Sequence, residues 1–350
     1  MPTFNNGDEK MTRSTNDTVT PRCETCCAGL RPQLRWSLLH NTREMIRRES
    51  GSLKFSALGL AALAIIGCGN SPTLATYEGD DRVESFMQAD FTRLYRVHVP
   101  TRTELGPVAP LVLAFHGSGQ TGEQLRAQSG LDQAADAAGF IVVYLQAAMG
   151  GWDVFGSFQF LGLDEVAYVR EVIRRVDQAH VIDQGRIIAV GLSNGGVLAQ
   201  QLGCTMTDRL AGFVAVAASM PRLLAENCRP SRPISAHYIL GTADPFFPIA
   251  GNGALLPVDS VMQFWRRSNG CPRQRFRWTL PDLDGDSTTV YRIWGLPCSD
   301  GTRTELDSII GGGHAWPGGV VPAPASFGPT SRDISVNEEI ANFLERIPRR

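Results

Sequence analysis

The chain has 350 residues, 43% hydrophobic and 19% charged, which suffices for one large core or two small ones. A formal net charge of −2, with no Lys/Arg-rich block in the part that reads as folded, argues against a nucleic-acid partner. No self-similarity at solenoid or propeller periods is present, so a single globular unit is expected.

Residues 1–44 are polar and turn-rich, and they stand in front of a leader-like segment, which belongs at an N-terminus. They read as a non-native or disordered extension, with Met45 a plausible start. Cys23, Cys26 and Cys27 fall in this stretch and make a single CxxC, without the second pair that a structural zinc site needs. Residues 45–68 read as a signal peptide: Arg47, Arg48 and Lys54 precede the uncharged run "FSALGLAALAIIG" at 55–67, which is too short to span a bilayer. The run ends in Ile65-Ile66-Gly67-Cys68, which resembles the bacterial lipobox. That resemblance implies acylation of Cys68 and an exported protein, in the cell envelope or secreted, whose membrane contact is through the lipid anchor alone. A short buried helix is the alternative for this run. Residues 69–90 read as a linker and 91–350 as a catalytic domain.

Strands are predicted at 94–100 and 111–117, the second nearly all apolar and so buried on both faces. A helix over 121–138 and a strand from Phe140 follow. Next comes a helix from Asp164, its N-cap, to Ala179, with Val166, Val169, Val172 and Ile173 on one side, and then a strand from Arg186. The alternation continues with a helix to Met206, strands at 212–219 and 235–242, a helix at 258–268, a hairpin, a strand at 304–310 and a closing helix at 334–346. This order implies an α/β fold, a mostly parallel central sheet with helices on both faces. Sites in such sheets form at the carboxyl ends of strands.

Ser193 stands in Gly191-Leu192-Ser193-Asn194-Gly195, between a predicted strand and a predicted helix. Chance supplies about 0.2 G-x-S-x-G matches at this composition, so the motif depends on its context. A serine hydroxyl is a weak nucleophile until a base takes its proton. Of six histidines, His40 lies in the leader region, His98 and His237 lie within strands, and His180 sits beside a helix end. His116 closes an early strand and is placed to shape a loop. His314, in "GGGHAWPGG" directly after a strand, is the expected base. Asp244, after the strand "AHYILG", is the expected carboxylate partner of its imidazole, with Asp259 and Asp307 as alternatives. The oxyanion needs two backbone N–H donors: Asn194, and in "FHGSGQTG" either Ser118 or Gly117. Cys204, Cys228, Cys271 and Cys298 suit two disulfides in an exported chain, and loop proximity suggests 204 with 228 and 271 with 298.

Taken together, "LVLAFHGSGQTG", "VIDQGRIIAVGLSNGG", "HYILGTADPFFPIAGNG", the Cys271 to Cys298 region and "GGGHAWPGG" resemble the polyhydroxybutyrate depolymerase and feruloyl esterase family of α/β-hydrolases. The resemblance spans Tyr95 to Gly319. It implies the α/β-hydrolase fold and a cofactor-free serine carboxylic-ester hydrolase with Ser193, Asp244 and His314 as its triad. Its substrate would be a small-molecule or oligomeric ester. Members often carry a cysteine-containing segment after a tryptophan before the second helix, where this chain has "GGWDVFGSFQFLGLDEV". Trp152, Phe155, Phe246 and Trp316 are therefore candidate substrate contacts, with Phe158, Phe160 and Phe247 nearby in sequence. No polymer-binding module or Ser/Thr-rich linker is evident, which favours soluble or short-chain esters. Asp282, Asp284 and Asp286 lack the later glutamate of a calcium loop and read as a hairpin turn, and no histidine cluster suggests a metal. The rival readings are an acyltransferase on the same scaffold, a peptidase, and a non-catalytic envelope-binding lipoprotein.

Overall fold

Runs rich in Val, Ile, Leu and Ala that are apolar at nearly every position can be buried only between two layers, and strands of this kind, buried along their whole length, lie in the interior of the sheet. The computed structural model describes residues 79–101 and 108–349, so the leader and Cys68 lie outside the described residues. Ten strands form one sheet: β1 (Asp80–Gln88), β2 (Phe91–Val99), β3 (Ala109–Phe115), β4 (Ile141–Leu145), β5 (Ile182–Leu192), β6 (Gly212–Val216), β7 (Ser235–Gly241), β8 (Arg275–Thr279), β9 (Thr289–Gly295) and β10 (Thr304–Ile310). Their order is β1-β2-β4-β3-β5-β6-β7-β10-β9-β8. The six strands from β4 to β10 run parallel, and antiparallel hairpins flank them on both sides.

The helices are α1 (Gly122–Ser129), α2 (Leu131–Ala138), α3 (Glu165–Ala179), α4 (Asn194–Thr205), α5 (Arg222–Asn227), α6 (Val258–Ser268) and α7 (Val336–Arg346). Period-two alternation divides the core between the two faces. Leu111, Leu113 and Phe115 of β3 point to one layer, with Val172 of α3, Leu198 and Leu202 of α4 and Trp265 of α6. Val112 and Ala114 point to the other, with Leu125 of α1, Leu131 of α2 and Ile340 and Phe343 of α7. The doubly covered sheet expected from the sequence is thus present.

Several boundaries differ from the sequence reading. The expected linker at 69–90 contains β1, paired with β2 in register from Asp80 opposite Val99 to Gln88 opposite Phe91. The folded domain therefore begins before residue 91. The expected helix over 121–138 is two helices, because Gly130 adopts a left-handed conformation (φ 64°) that ends α1 and caps α2. The sequence reading missed α5, a six-residue helix tied to α4 by the Cys204–Cys228 disulfide; a second disulfide joins Cys271 and Cys298. Among the described residues, no helix is long and apolar enough to cross a membrane.

Candidate active site

Strand β5 runs straight into α4, and Ser193 occupies the turn between them with φ 56° and ψ −122°. An L-residue is held in so sparsely populated a conformation only when its surroundings over-determine it. Ser193 N–H donates to the Val216 carbonyl at 2.9 Å, and the Ser193 carbonyl accepts from Val197 N–H at 3.0 Å. The turn also demands glycine on either side. A Cβ at Gly191 would lie 2.1 Å from the Gly195 carbonyl, and one at Gly195 would lie 2.2 Å from the Phe115 carbonyl oxygen. The glycines of the motif are thus what lets the helix start press against the ends of β3 and β5.

His314 and Asp244 come from the loops after β10 and β7, neighbouring parallel strands. His314 Nδ1 and Asp244 Oδ2 are 2.8 Å apart, and both side chains are buried. The other carboxylate oxygen, Oδ1, accepts from Phe246 N–H at 2.8 Å and Phe247 N–H at 2.9 Å, so the carboxylate has little freedom to rotate. With Nδ1 donating to the carboxylate, Nε2 is the basic nitrogen of the neutral ring. Three phenylalanines box that ring in: Phe247 stacks on it at 5.8 Å, and Phe246 and Phe327 meet it edge-on at 4.9 and 5.7 Å.

Ser193 and His314 together line two cavities. One, of about 810 Å³, is walled by Val154, Phe155, Phe246, Phe247, Leu223 and Leu255 among others. The second, of about 470 Å³, is lined by Gln120, Gln124, Gln128 and the 321–324 segment. Phe327 and Ser118 border both.

The two expected oxyanion loops meet at Ser193, with one change. Gly117 N–H is engaged by Gln120 Oε1 at 3.0 Å, so Gly117 is not an available donor. Ser118 and Asn194 line the cavity beside Ser193, and no acceptor holds their N–H groups among the described residues. His116 is buried beneath this loop. Its Nε2 accepts from Ala147 N–H at 3.1 Å, which leaves Nδ1–H to donate to the Gly117 carbonyl at 2.7 Å. Burial holds this imidazole below its ordinary pKa, in keeping with a neutral strut.

The four expected substrate contacts separate into two pairs. Phe155 and Phe246 are half-exposed in the apolar cavity. Trp152 and Trp316 are not substrate contacts, because both are buried packing residues. Trp152 N–H donates to Asn194 Oδ1 at 2.6 Å and its Nε1–H to the His116 carbonyl at 2.8 Å. Trp316 donates to Asn337 Oδ1 from the opposite core layer. Indole rings that have found hydrogen-bond partners inside the protein are fixed there. Phe327 was missed, because nothing in "APASFGP" marks a loop that folds back over the histidine.

The alternative acids lie elsewhere. Asp259 opens α6, and Asp307 is bonded to His237 at 2.9 Å and to Arg292 at 2.6 Å. His237, Asp307 and Glu339 lie close enough together to suggest a metal site. Arg292, however, bridges Asp307 and Glu339, so its guanidinium supplies the positive charge there.

No family model matches the chain. The protein NocK of Nocardia uniformis subsp. tsuyamanensis, named as an esterase, is 32% identical over 274 residues, covering 72% of this chain and 79% of that one. The chain belongs to this esterase family. Further relatives of the esterase include a feruloyl esterase B of Piromyces equi, 26% identical over 59% of this chain and 40% of its own length. A bifunctional acetylxylan esterase/xylanase of Neocallimastix patriciarum is 25% identical over 63% of this chain and 31% of its own length. The esterase thus spans less than half of each of these two relatives. In the fold comparison, the acetyl xylan esterase from Aspergillus awamori superposes with a TM-score of 0.51 at 13% identity, over 75% of this chain and 99% of that one. The chain is a carboxylic ester hydrolase of α/β-hydrolase fold.

Proposed function

We propose that the esterase acts through an acyl-enzyme on Ser193. Ser193 Oγ attacks the ester carbonyl and its proton passes to His314 Nε2. The imidazolium is stabilised by Asp244, and the oxyanion is held by the Ser118 and Asn194 N–H groups. The C–O bond to the alcohol then breaks, and His314 returns its proton to the leaving oxygen. Water deprotonated by His314 repeats the sequence on the acyl-enzyme and releases the acid. The observation that carries this reading is that His314, bonded to Asp244 at 2.8 Å, lines the same cavities as Ser193 in its strained turn.

The apolar cavity with Phe155, Phe246 and Leu223 takes an aromatic or medium-length acyl group, and the glutamine-lined cavity takes the leaving alcohol. The substrates are soluble or oligomeric esters, hydroxycinnamoyl esters and hydroxyalkanoate oligomers among them. The esterase is exported, with Cys68 acylated as a lipid anchor.

Hydrolysis of p-nitrophenyl acetate, butyrate and octanoate and of methyl ferulate, by the wild type and by Ser193→Ala, tests the chemistry. Turnover is expected to fall by about 10⁶ in the variant, the scale of the subtilisin serine knockout. Equal rates in the two proteins would remove Ser193 from the mechanism. An unmodified Cys68 in the intact mass of protein from native membranes would remove the anchor.

A further inference from the structure

The net charge of −2 hides a cationic face away from the two cavities at Ser193, and the reading that the folded part has no Lys/Arg-rich block is corrected by it: five of the twelve residues 266–277 are arginine. A concavity of about 660 Å³ lies between α6 and β8, lined by Arg266, Arg267, Arg273, Arg275 and Arg277. Asp259 is the carboxylate in that lining. The ion pairs of the described residues engage other arginines, such as Arg93, Arg126, Arg186 and Arg292, and none of these five. Arg266 donates to the Pro272 carbonyl, while Arg267, Arg273, Arg275 and Arg277 are exposed. Like charges left together without counter-ions are unfavourable unless an external anion meets them, and guanidinium groups bind phosphate oxygens bidentately.

Strand β8 is the last strand of the sheet, and all five of its residues are exposed. Its sequence alternates Arg275, Phe276, Arg277, Trp278, so the arginines and the aromatics project to opposite faces. The arginines line the concavity, and Trp278 packs edge-on against Trp294. Phe276 and Trp278 are 47% and 38% exposed. A nucleic-acid strand lying along the arginines would not reach these rings for stacking. A flat surface approaching the strand edge-on meets both rows at once, and arginine beside tryptophan suits the headgroup region of a bilayer.

We propose that the α6–β8 face docks on the phosphate headgroups of an anionic phospholipid bilayer. The docking is independent of the ester chemistry and of any lipid on Cys68. The test is co-sedimentation of the full chain with vesicles of phosphatidylcholine alone and of phosphatidylcholine mixed with phosphatidylglycerol, at low and high salt. The Arg273→Gln, Arg275→Gln, Arg277→Gln triple variant is run alongside. Using the same full chain throughout makes any contribution from the leader or an acyl group common to both proteins.

Wild-type binding is expected to be stronger to the anionic vesicles and to lose that excess at high salt. The triple variant is expected to lose on the order of 100-fold in affinity, at roughly fivefold per arginine near an anionic surface. An unchanged melting temperature shows that the variant is folded. Equal binding of wild type and variant to the anionic vesicles overturns the proposal. So does tighter binding to single-stranded RNA or an acidic polysaccharide than to the vesicles, which would assign the face to a soluble polyanion. Self-association of the variant with undiminished vesicle binding also overturns it, and leaves the arginines as guards of an open strand edge.

Discussion

Asp244 shows how one side chain can be committed twice over. Oδ1 is spent on the N–H groups of Phe246 and Phe247, which fixes the carboxylate plane, and Oδ2 alone meets the imidazole. Asp244→Asn keeps the shape but can offer Nδ2–H to His314, which favours the wrong tautomer. By analogy with the same exchange in a serine protease, turnover is expected to fall by about 10⁴ with little change in stability, measured as kcat on p-nitrophenyl butyrate beside a thermal melt. A variant within tenfold of wild type would remove Asp244 from the mechanism. At this scale the sequence was most legible where covalent geometry leaves no choice. Gly191 and Gly195 announce the turn because any Cβ there would collide with backbone. Trp152 and Trp316 were misread, because whether an indole faces a cavity or the core depends on partners far away in the chain.

Between elements, the decisive contacts tie strands to helices. His237 of β7 is fully buried against Asp307 and Glu305 of β10, Arg292 of β9, and Glu339 and Arg346 of α7. Three carboxylates face two arginines, so a protonated His237 brings the cluster to neutrality. Burial by itself would lower this imidazole, but the Asp307 hydrogen bond and the surrounding carboxylate charges outweigh it and raise the pKa above the ordinary 6.5. A folded-state value raised above the unfolded one gives stability that is complete below pH 6.5 and is lost as pH rises through the folded value. Denaturant midpoints are therefore expected to fall with rising pH above neutrality, and His237→Gln is expected to be less stable at pH 6 and to have a flatter slope. A slope identical in the two proteins would assign the pH dependence elsewhere.

A second link at this scale is the Cys204–Cys228 disulfide, which closes a loop with a sequence separation of 24 and holds α5, one wall of the apolar cavity. Replacing both cysteines by serine is expected to cost about 2–4 kcal/mol. KM for the octanoate ester should rise more than kcat falls, because the wall loosens while the His314–Asp244 pair does not depend on it. An unchanged KM in a destabilised variant would show that α5 keeps its place without the covalent tie.

For the whole molecule, parallel strands β3, β5, β7 and β10 deliver the 117–120 loop, Ser193, Asp244 and His314 to the same end of one sheet. The antiparallel β1–β2 hairpin completes the far side, with Phe86 meeting Tyr95 and Tyr168 at 6.4 and 5.7 Å and Arg175 over its ring. A chain trimmed to begin at residue 91 exposes those rings and strips β2 of one of its two neighbours, leaving it paired only with β4. It is expected to melt about 5 °C lower than one beginning at residue 69. Equal melting temperatures would make β1 dispensable.

By itself the amino-acid sequence determined the alternating order of strands and helices, the Ser193 turn, the Asp244 and His314 positions and the even set of cysteines. Each of these is written in local periodicity, in glycine sterics or in the order of residues along the chain. Only the tertiary structure decided that β1 pairs where a linker was expected, that Gln120 takes the Gly117 donor, and that Phe327 closes over His314. The five arginines already fall within twelve residues of sequence, 266 to 277; what the structure added is that they line one concavity and that none of them is in an ion pair among the described residues. The physical reason is that each of these contacts depends on how the backbone turns and what packs against it. The β1–β2 hairpin and the Gly117–Gln120 bond join residues close in sequence, yet residue type and hydrophobic periodicity do not record which donors a turn directs inward or which ring a loop lays over the histidine.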